Sequence, residues 1–101
     1  MIADSKAEIL AAKSLVLNTA IMRDNGNIVT LESSCAKLFS SEILGKVADR
    51  AVQIHGGAGY MADYPVERLY RDARLFRIYE GTSQIQQLII ARETIKKFKS
   101  L

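Results

Sequence analysis

Apolar residues recur along this chain at the three-to-four-residue spacing of helices, and nowhere do they alternate as a half-buried strand requires. Over residues 3–24, Ala7, Leu10, Leu17 and Ile21 share a face that Ile9, Val16 and Ala20 widen. So broad a face predicts a helix covered on two sides. Asn25-Gly26-Asn27 stops it, because Asn and Gly tolerate left-handed backbone angles. A second helix is predicted over residues 30–54, with Thr30 as its N-cap and Ser33 and Ser34 in the first turns. Its apolar surface is Leu31, Cys35, Leu38, Ile43, Val47, Ala51 and Ile54. Gly45 lies inside it, where glycine costs about 1 kcal/mol against alanine or marks close helix packing. Gly56-Gly57-Ala58-Gly59 ends this helix. Asp63-Tyr64-Pro65 turns into a short helix starting at Pro65 or Val66, with Leu69, Ala73 and Phe76 inward. The last helix spans residues 82–97, with Ile85, Leu88, Ile89 and Ile95 as core candidates and Gln84, Gln87 and Lys96 outward. The pattern predicts an all-α protein, an antiparallel helical bundle.

A length of 101 residues fits one domain, and 49% hydrophobic with 25% charged residues excludes disorder as the default. The net charge is +3, but the cations are interspersed with acids, as in Asp49-Arg50, Glu67-Arg68 and Arg71-Asp72. No aromatic residues interleave with them, so the composition points away from nucleic acid. Lys96, Lys97 and Lys99 suit the last turn of a helix, where cations favour the helix dipole. Cys35 is the one cysteine, which leaves no internal disulfide and fits a reducing compartment. No apolar run approaches the roughly 20 residues that span a bilayer, and the N-terminus lacks the pattern of a signal peptide.

Two places carry candidate chemistry. The first is the glycine cluster at residues 56–59. It follows a helix and not a strand, so it does not fit the dinucleotide-binding fingerprint. On its own it reads as a helix cap and turn, with a phosphate site on bare backbone amides as the second reading. His55 reads as a hydrogen-bonding residue at a helix end. It has no second histidine and no carboxylate at ligand spacing, so no metal site is expected. The second place is Glu80, which on composition is a solvated acid ahead of a helix. Ile78 and Tyr79 precede it, Gly81 permits close approach and Thr82 is an N-cap candidate. A carboxylate among apolar groups gains proton affinity, which suits a general base near neutral pH.

Residues 53–92 read QIHGGAGYMADYPVERLYRDARLFRIYEGTSQIQQLIIAR. This stretch resembles the C-terminal end of the acyl-CoA dehydrogenases, closely here and loosely before Gln53. The resemblance implies FAD as cofactor and an acyl-CoA thioester as substrate, desaturated between its α and β carbons. It implies that Glu80, in Tyr79-Glu80-Gly81-Thr82, removes the α-proton. The Glu80 backbone amide and the flavin ribityl chain would stabilise the developing enolate, and the β-hydrogen would leave as hydride. Tyr79 would line the acyl pocket and Gly81 would lie against substrate. Gln53, Ile54, His55, Gly56 and Gly57 match a segment that contacts the ADP half of a neighbouring subunit's FAD. His55 departs from the apolar or aromatic residue expected there. Thr82, Ser83 and Gln84 match a second FAD-contacting segment. Isovaleryl-type relatives lack glutamate at this point, so Glu80 favours a straight-chain type. Arg71 and Asp72, within a further family signature, read as a structural pair at a helix contact.

Family members are several times longer. The resemblance therefore implies a C-terminal helical domain without the N-terminal helical and middle β domains, inactive by itself. It further implies a homotetramer, an electron-transfer flavoprotein as acceptor, and a cytoplasmic site in a prokaryote or the mitochondrial matrix in a eukaryote. Two alternatives stand beside it: a stand-alone helical oligomerisation module, and a DNA-associated flavoprotein of the same superfamily.

Overall fold

A computed structural model describes residues 1–101, all of them in helices and connecting turns. The helices are α1 (Ile2–Asp24), α2 (Thr30–His55), α3 (Val66–Leu75) and α4 (Ser83–Lys99), with a 3-10 turn, Gly56–Tyr60, after α2. The all-α expectation holds, and the boundaries fall within two residues of those predicted. Thr82 is the N-cap of α4: its Oγ1 accepts from the Ile85 amide at 3.2 Å. Thr30 is not the cap of α2. Val29 occupies that position without a side-chain bond, and Thr30 is the first helical residue.

The helix α2 is the spine, and the other helices run antiparallel to it. The half-buried Arg50, near the end of α2, pairs with Glu8 at 2.8 Å, which sets the start of α1 beside the end of α2. On the other side α3 and α4 lie in tandem. Arg77, just past α3, reaches Glu42 at 3.5 Å, and Lys97, late in α4, reaches Glu32 at 3.6 Å. No packing joins α1 to α4, so the bundle is open.

Small residues make the close contacts. Ala36 and Ile43 are buried two turns apart on α2, and Ser34 and Ser41 repeat that interval. A hydroxyl can be buried on a helix by bonding to its own backbone, as Ser41 Oγ does to Lys37 O at 2.8 Å and Thr19 Oγ1 does to Leu15 O at 2.8 Å. Gly45 faces the Arg77 guanidinium, but an added Cβ would make ordinary contact at 3.5 Å. Close packing is therefore not what calls for glycine there.

The expected two-sided cover of α1 is absent from this chain. Thr19 is its one buried residue, while Leu10, Leu17 and Ile21 stay more than half exposed. Of the α4 core candidates, Leu88 is 67% exposed and Ile85 and Ile95 are also open; Ser83 and Gln86 are buried instead. Val66 and Ala73 are the inward residues of α3, with Leu69 and Phe76 outside. In all, 11 of 101 residues are buried and the accessible surface is 7414 Å². A folded monomer of this mass exposes about 5,700 Å². The radius of gyration, 16.3 Å, likewise exceeds the roughly 13 Å of a compact chain this long. The excess is apolar surface with nothing in the chain to cover it.

The Glu8–Arg50 pair ties α1 to α2 and has a pH signature. The hydrogen bond from Arg50, aided by its charge, holds the Glu8 carboxyl below its ordinary pKa. A depressed carboxylate stabilises the fold above the ordinary carboxylate range, and this contribution disappears as pH falls through the folded-state pKa. Glu8→Gln should flatten that part of the acid-unfolding curve, followed by helical circular dichroism from pH 7 to 2. Identical curves would mean that the pair does not hold α1.

Candidate active-site loop

The connection between α3 and α4 has unusual backbone geometry. Glu80 has φ +54, the one residue other than glycine on the left-handed side, and Gly81 follows at φ +88. For an L-residue that region costs roughly 1–2 kcal/mol, and such strain persists where surrounding structure over-determines it. Here five hydrogen bonds do so. The Ser83 amide donates to Arg77 O at 3.1 Å, closing the loop on itself. Ser83 Oγ donates to Glu42 Oε1 at 2.6 Å, anchoring the start of α4 on α2. Gln86 Nε2 donates to Glu80 O at 3.3 Å. Lys37 Nζ donates to Phe76 O and Gly81 O, both at 2.7 Å. Phe76 and Tyr79 stack edge to face, with centroids 5.2 Å apart.

The Glu80 side chain is exposed and takes part in no ion pair. The apolar enclosure expected around it is therefore not formed within this chain. Tyr79 is exposed beside it, and Gly81 is half-buried against Gln86. Of the three α4 residues singled out for FAD, Thr82 is half-buried and Gln84 exposed, while the buried Ser83 hydroxyl is committed to Glu42.

The second segment lies at the far end of α2. Gln53, Ile54, His55, Gly56 and Gly57 are all exposed. His55 Nδ1 lies 2.7 Å from Ala51 O, the backbone bond expected of a histidine at a helix end. The Gly56 amide is not bare: it donates to Gln53 O as the helix closes. Space for Cβ atoms is open at Gly56 and Gly57. His55 lies thirteen steps along α2 from Glu42, which is beside Ser83, and that is about 20 Å of helix. The two segments thus do not meet within one chain.

Arg71 and Asp72 are exposed and form no ion pair with each other or with any other residue. The structural pairs are Arg77 with Glu42 and Arg50 with Glu8. Lys37, Glu42 and Gln86 were not legible as site residues. Lys37 and Glu42 meet their partners 35 to 44 residues away, and no local spacing signals such a contact.

Comparison with known proteins places this geometry. Residues 1–95 match the family described as acyl-CoA dehydrogenase, C-terminal domain. The caffeyl-CoA reductase-Etf complex subunit CarC of Acetobacterium woodii is 53% identical over 97 residues, which are 96% of this chain and 26% of that protein. The mitochondrial short-chain specific acyl-CoA dehydrogenase of Rattus norvegicus is 42% identical over 99 residues, 98% of this chain and 24% of that protein. The structure of butyryl-CoA dehydrogenase from Megasphaera elsdenii superposes with a TM-score of 0.89 at 39% identity, covering 92% of this chain and 24% of that one. The chain spans about a quarter of the length of the curated relatives it matches. Its helix order, its loop motif and a family match over residues 1–95 agree, and the chain belongs to the acyl-CoA dehydrogenase C-terminal domain family.

Proposed function

We propose that this chain serves as the C-terminal helical domain of an FAD-dependent acyl-CoA dehydrogenase, with Glu80 as the base that removes the α-proton of a straight-chain acyl-CoA. The observation that carries the reading is the strained backbone at Glu80, held by a loop that α2 and α4 fix from several sides. Strain of this kind has no packing purpose here, because the side chain it presents is in solvent. It sets the direction of a carboxylate.

The residues present fit FAD in two places. The start of α4, with Thr82 and Gln84, offers the positive end of a helix dipole and outward polar side chains. The exposed Gln53-Ile54-His55-Gly56-Gly57 run offers open backbone without side-chain cover. The resemblance assigns the second run to the flavin of a neighbouring subunit, and its separation of about 20 Å along α2 from the start of α4 is compatible with that. FAD, when bound, supplies the acceptor for the β-hydride. Glu80 takes the proton, its amide donates to the thioester oxygen, Gly81 leaves room for substrate and Tyr79 borders the acyl chain. The uncovered faces of α1 and α4 suit assembly into a homotetramer, and an electron-transfer flavoprotein suits the final acceptor. The chain alone does not turn over, since Glu80 lacks its enclosure.

A second reading concerns direction. The Acetobacterium woodii relative is named a reductase. By microscopic reversibility a protonated Glu80 would return the proton to the α-carbon of an enoyl-CoA, with the hydride for the β-carbon supplied by the reduced flavin. The test is product formation by the full-length enzyme loaded with FAD. With an artificial electron acceptor, straight-chain acyl-CoA should become 2-enoyl-CoA. No conversion in either direction, across chain lengths, would overturn the reading; reduction of enoyl-CoA alone would establish the second one.

A further inference from the structure

We infer that Lys37 is a positioning residue for Glu80, a role that rests on the reading of Glu80 as the base. The two carbonyls it binds stand at the two ends of the loop. Phe76 closes the C-terminal turn of α3, and Gly81 comes immediately before Thr82, the cap of α4. One ammonium reaches both, each at 2.7 Å. Carbonyls in the last turn of a helix lack intrahelical donors and carry partial negative charge, so a cation suits the α3 end. An ammonium has three rotatable donors on a compact charge, which lets a single atom serve two convergent acceptors. Both distances are short for N–H···O bonds, as ionised donors give.

The placement of Lys37 matters as much as its bonds. It stands on α2, the helix against which every other element packs. It therefore fixes both ends of the loop to the rigid part of the molecule. Between those ends lie the two left-handed residues, Glu80 and Gly81. Without the ammonium, the loop keeps the Ser83 bonds to Arg77 O and Glu42 and the longer 3.3 Å contact from Gln86. None of them restrains Gly81 O. The backbone at Glu80 then relaxes toward negative φ and moves the carboxylate. Misplacing a reacting group by about 1 Å costs on the order of a hundredfold in rate.

The experiment uses the full-length enzyme loaded with FAD. Lys37→Met keeps the stem and removes the charge. It should lower kcat at least tenfold with KM for acyl-CoA changed less than threefold. Lys37→Arg, which restores a cation, should recover part of the loss. Hydrogen exchange should quicken at the amides of residues 78–82 and stay unchanged in α1 and α2. A kcat within twofold of the unaltered enzyme would overturn the inference. So would quickened exchange spread over the whole bundle, which marks a purely structural role. If Lys37→Met does not fold, Lys37→Gln, which retains one donor, takes its place under the same criteria. Glu80→Gln is measured alongside. If that variant keeps its activity, the base reading has failed, and Lys37 is judged on loop exchange alone.

Discussion

Glu80→Gln in the full-length enzyme should lower acyl-CoA desaturation by about 10²–10⁴-fold, the range that general-base catalysis contributes. The substitution is close to isosteric and removes only the ability to accept a proton. Its structural cost should be small. The Glu80 carboxylate is exposed and makes no ion pair, and the one bond at this residue uses its backbone carbonyl. Surface changes of that kind stay within about 0.5 kcal/mol. KM should therefore hold while kcat falls, the pattern of a group that acts in the transition state. Exchange of the substrate's α-hydrogen with deuterated water reads the base directly. It should stop in Glu80→Gln even when substrate binds. Exchange at the unaltered rate would assign proton removal to another group and leave the strained backbone without a catalytic meaning.

The largest expected effect on stability is at Gly59. This glycine is buried in the 3-10 turn behind α2. A Cβ added there would lie 2.5 Å from Val52 O and 3.0 Å from the Cβ of His55. The first of these atoms is backbone in the last turns of a helix and cannot rotate away. Gly59→Ala must push the turn off α2, an overpacking that costs typically 1–3 kcal/mol. For a domain of this size each kcal/mol lowers Tm by about 4–8 °C. Gly57→Ala is the control, because nothing lies within 4 Å of its added Cβ. In the full-length enzyme the displaced turn should also disturb the adjoining residues 53–57 and weaken FAD retention. Equal Tm values for the two variants, by thermal unfolding, would show that the close approach at Gly59 is not needed.

Much of this architecture was legible in the sequence, and the illegible part has a common cause. Helices end where Asn25-Gly26-Asn27 and the 56–59 glycines interrupt them, and a threonine followed by a helical run marked the α4 cap. These are local signals. Burial is less legible, because hydrophobic periodicity reports which face can be covered, not which face this chain covers. Leu10, Leu17, Ile21 and Leu88 have the right spacing and face open space. The close contacts fall instead to Ser34, Ser41 and Ser83; the Ser41 hydroxyl bonds its own helix and the Ser83 hydroxyl bonds the adjacent one. Glu80 was found through its motif. Of the groups that hold it, Lys37 and Glu42 depend on a tertiary arrangement that no spacing encodes. Gly59 carries the local signal of a cap, whereas its requirement is a backbone oxygen from the previous helix.

The shortage of interior, 11 buried residues in 101, reaches beyond packing. A domain gains a few kcal/mol net only when burial offsets the ordering of its chain, and so thin a core leaves little margin. The remainder has to come from whatever covers the outer faces of α1 and α4. Where that cover is a second molecule, folding is linked to association by mass action, and the midpoint of unfolding rises with protein concentration. A substitution on the outer face of α1, remote from Glu80, would act on abundance before it acted on rate. Fewer molecules would survive quality control, and each survivor would work normally.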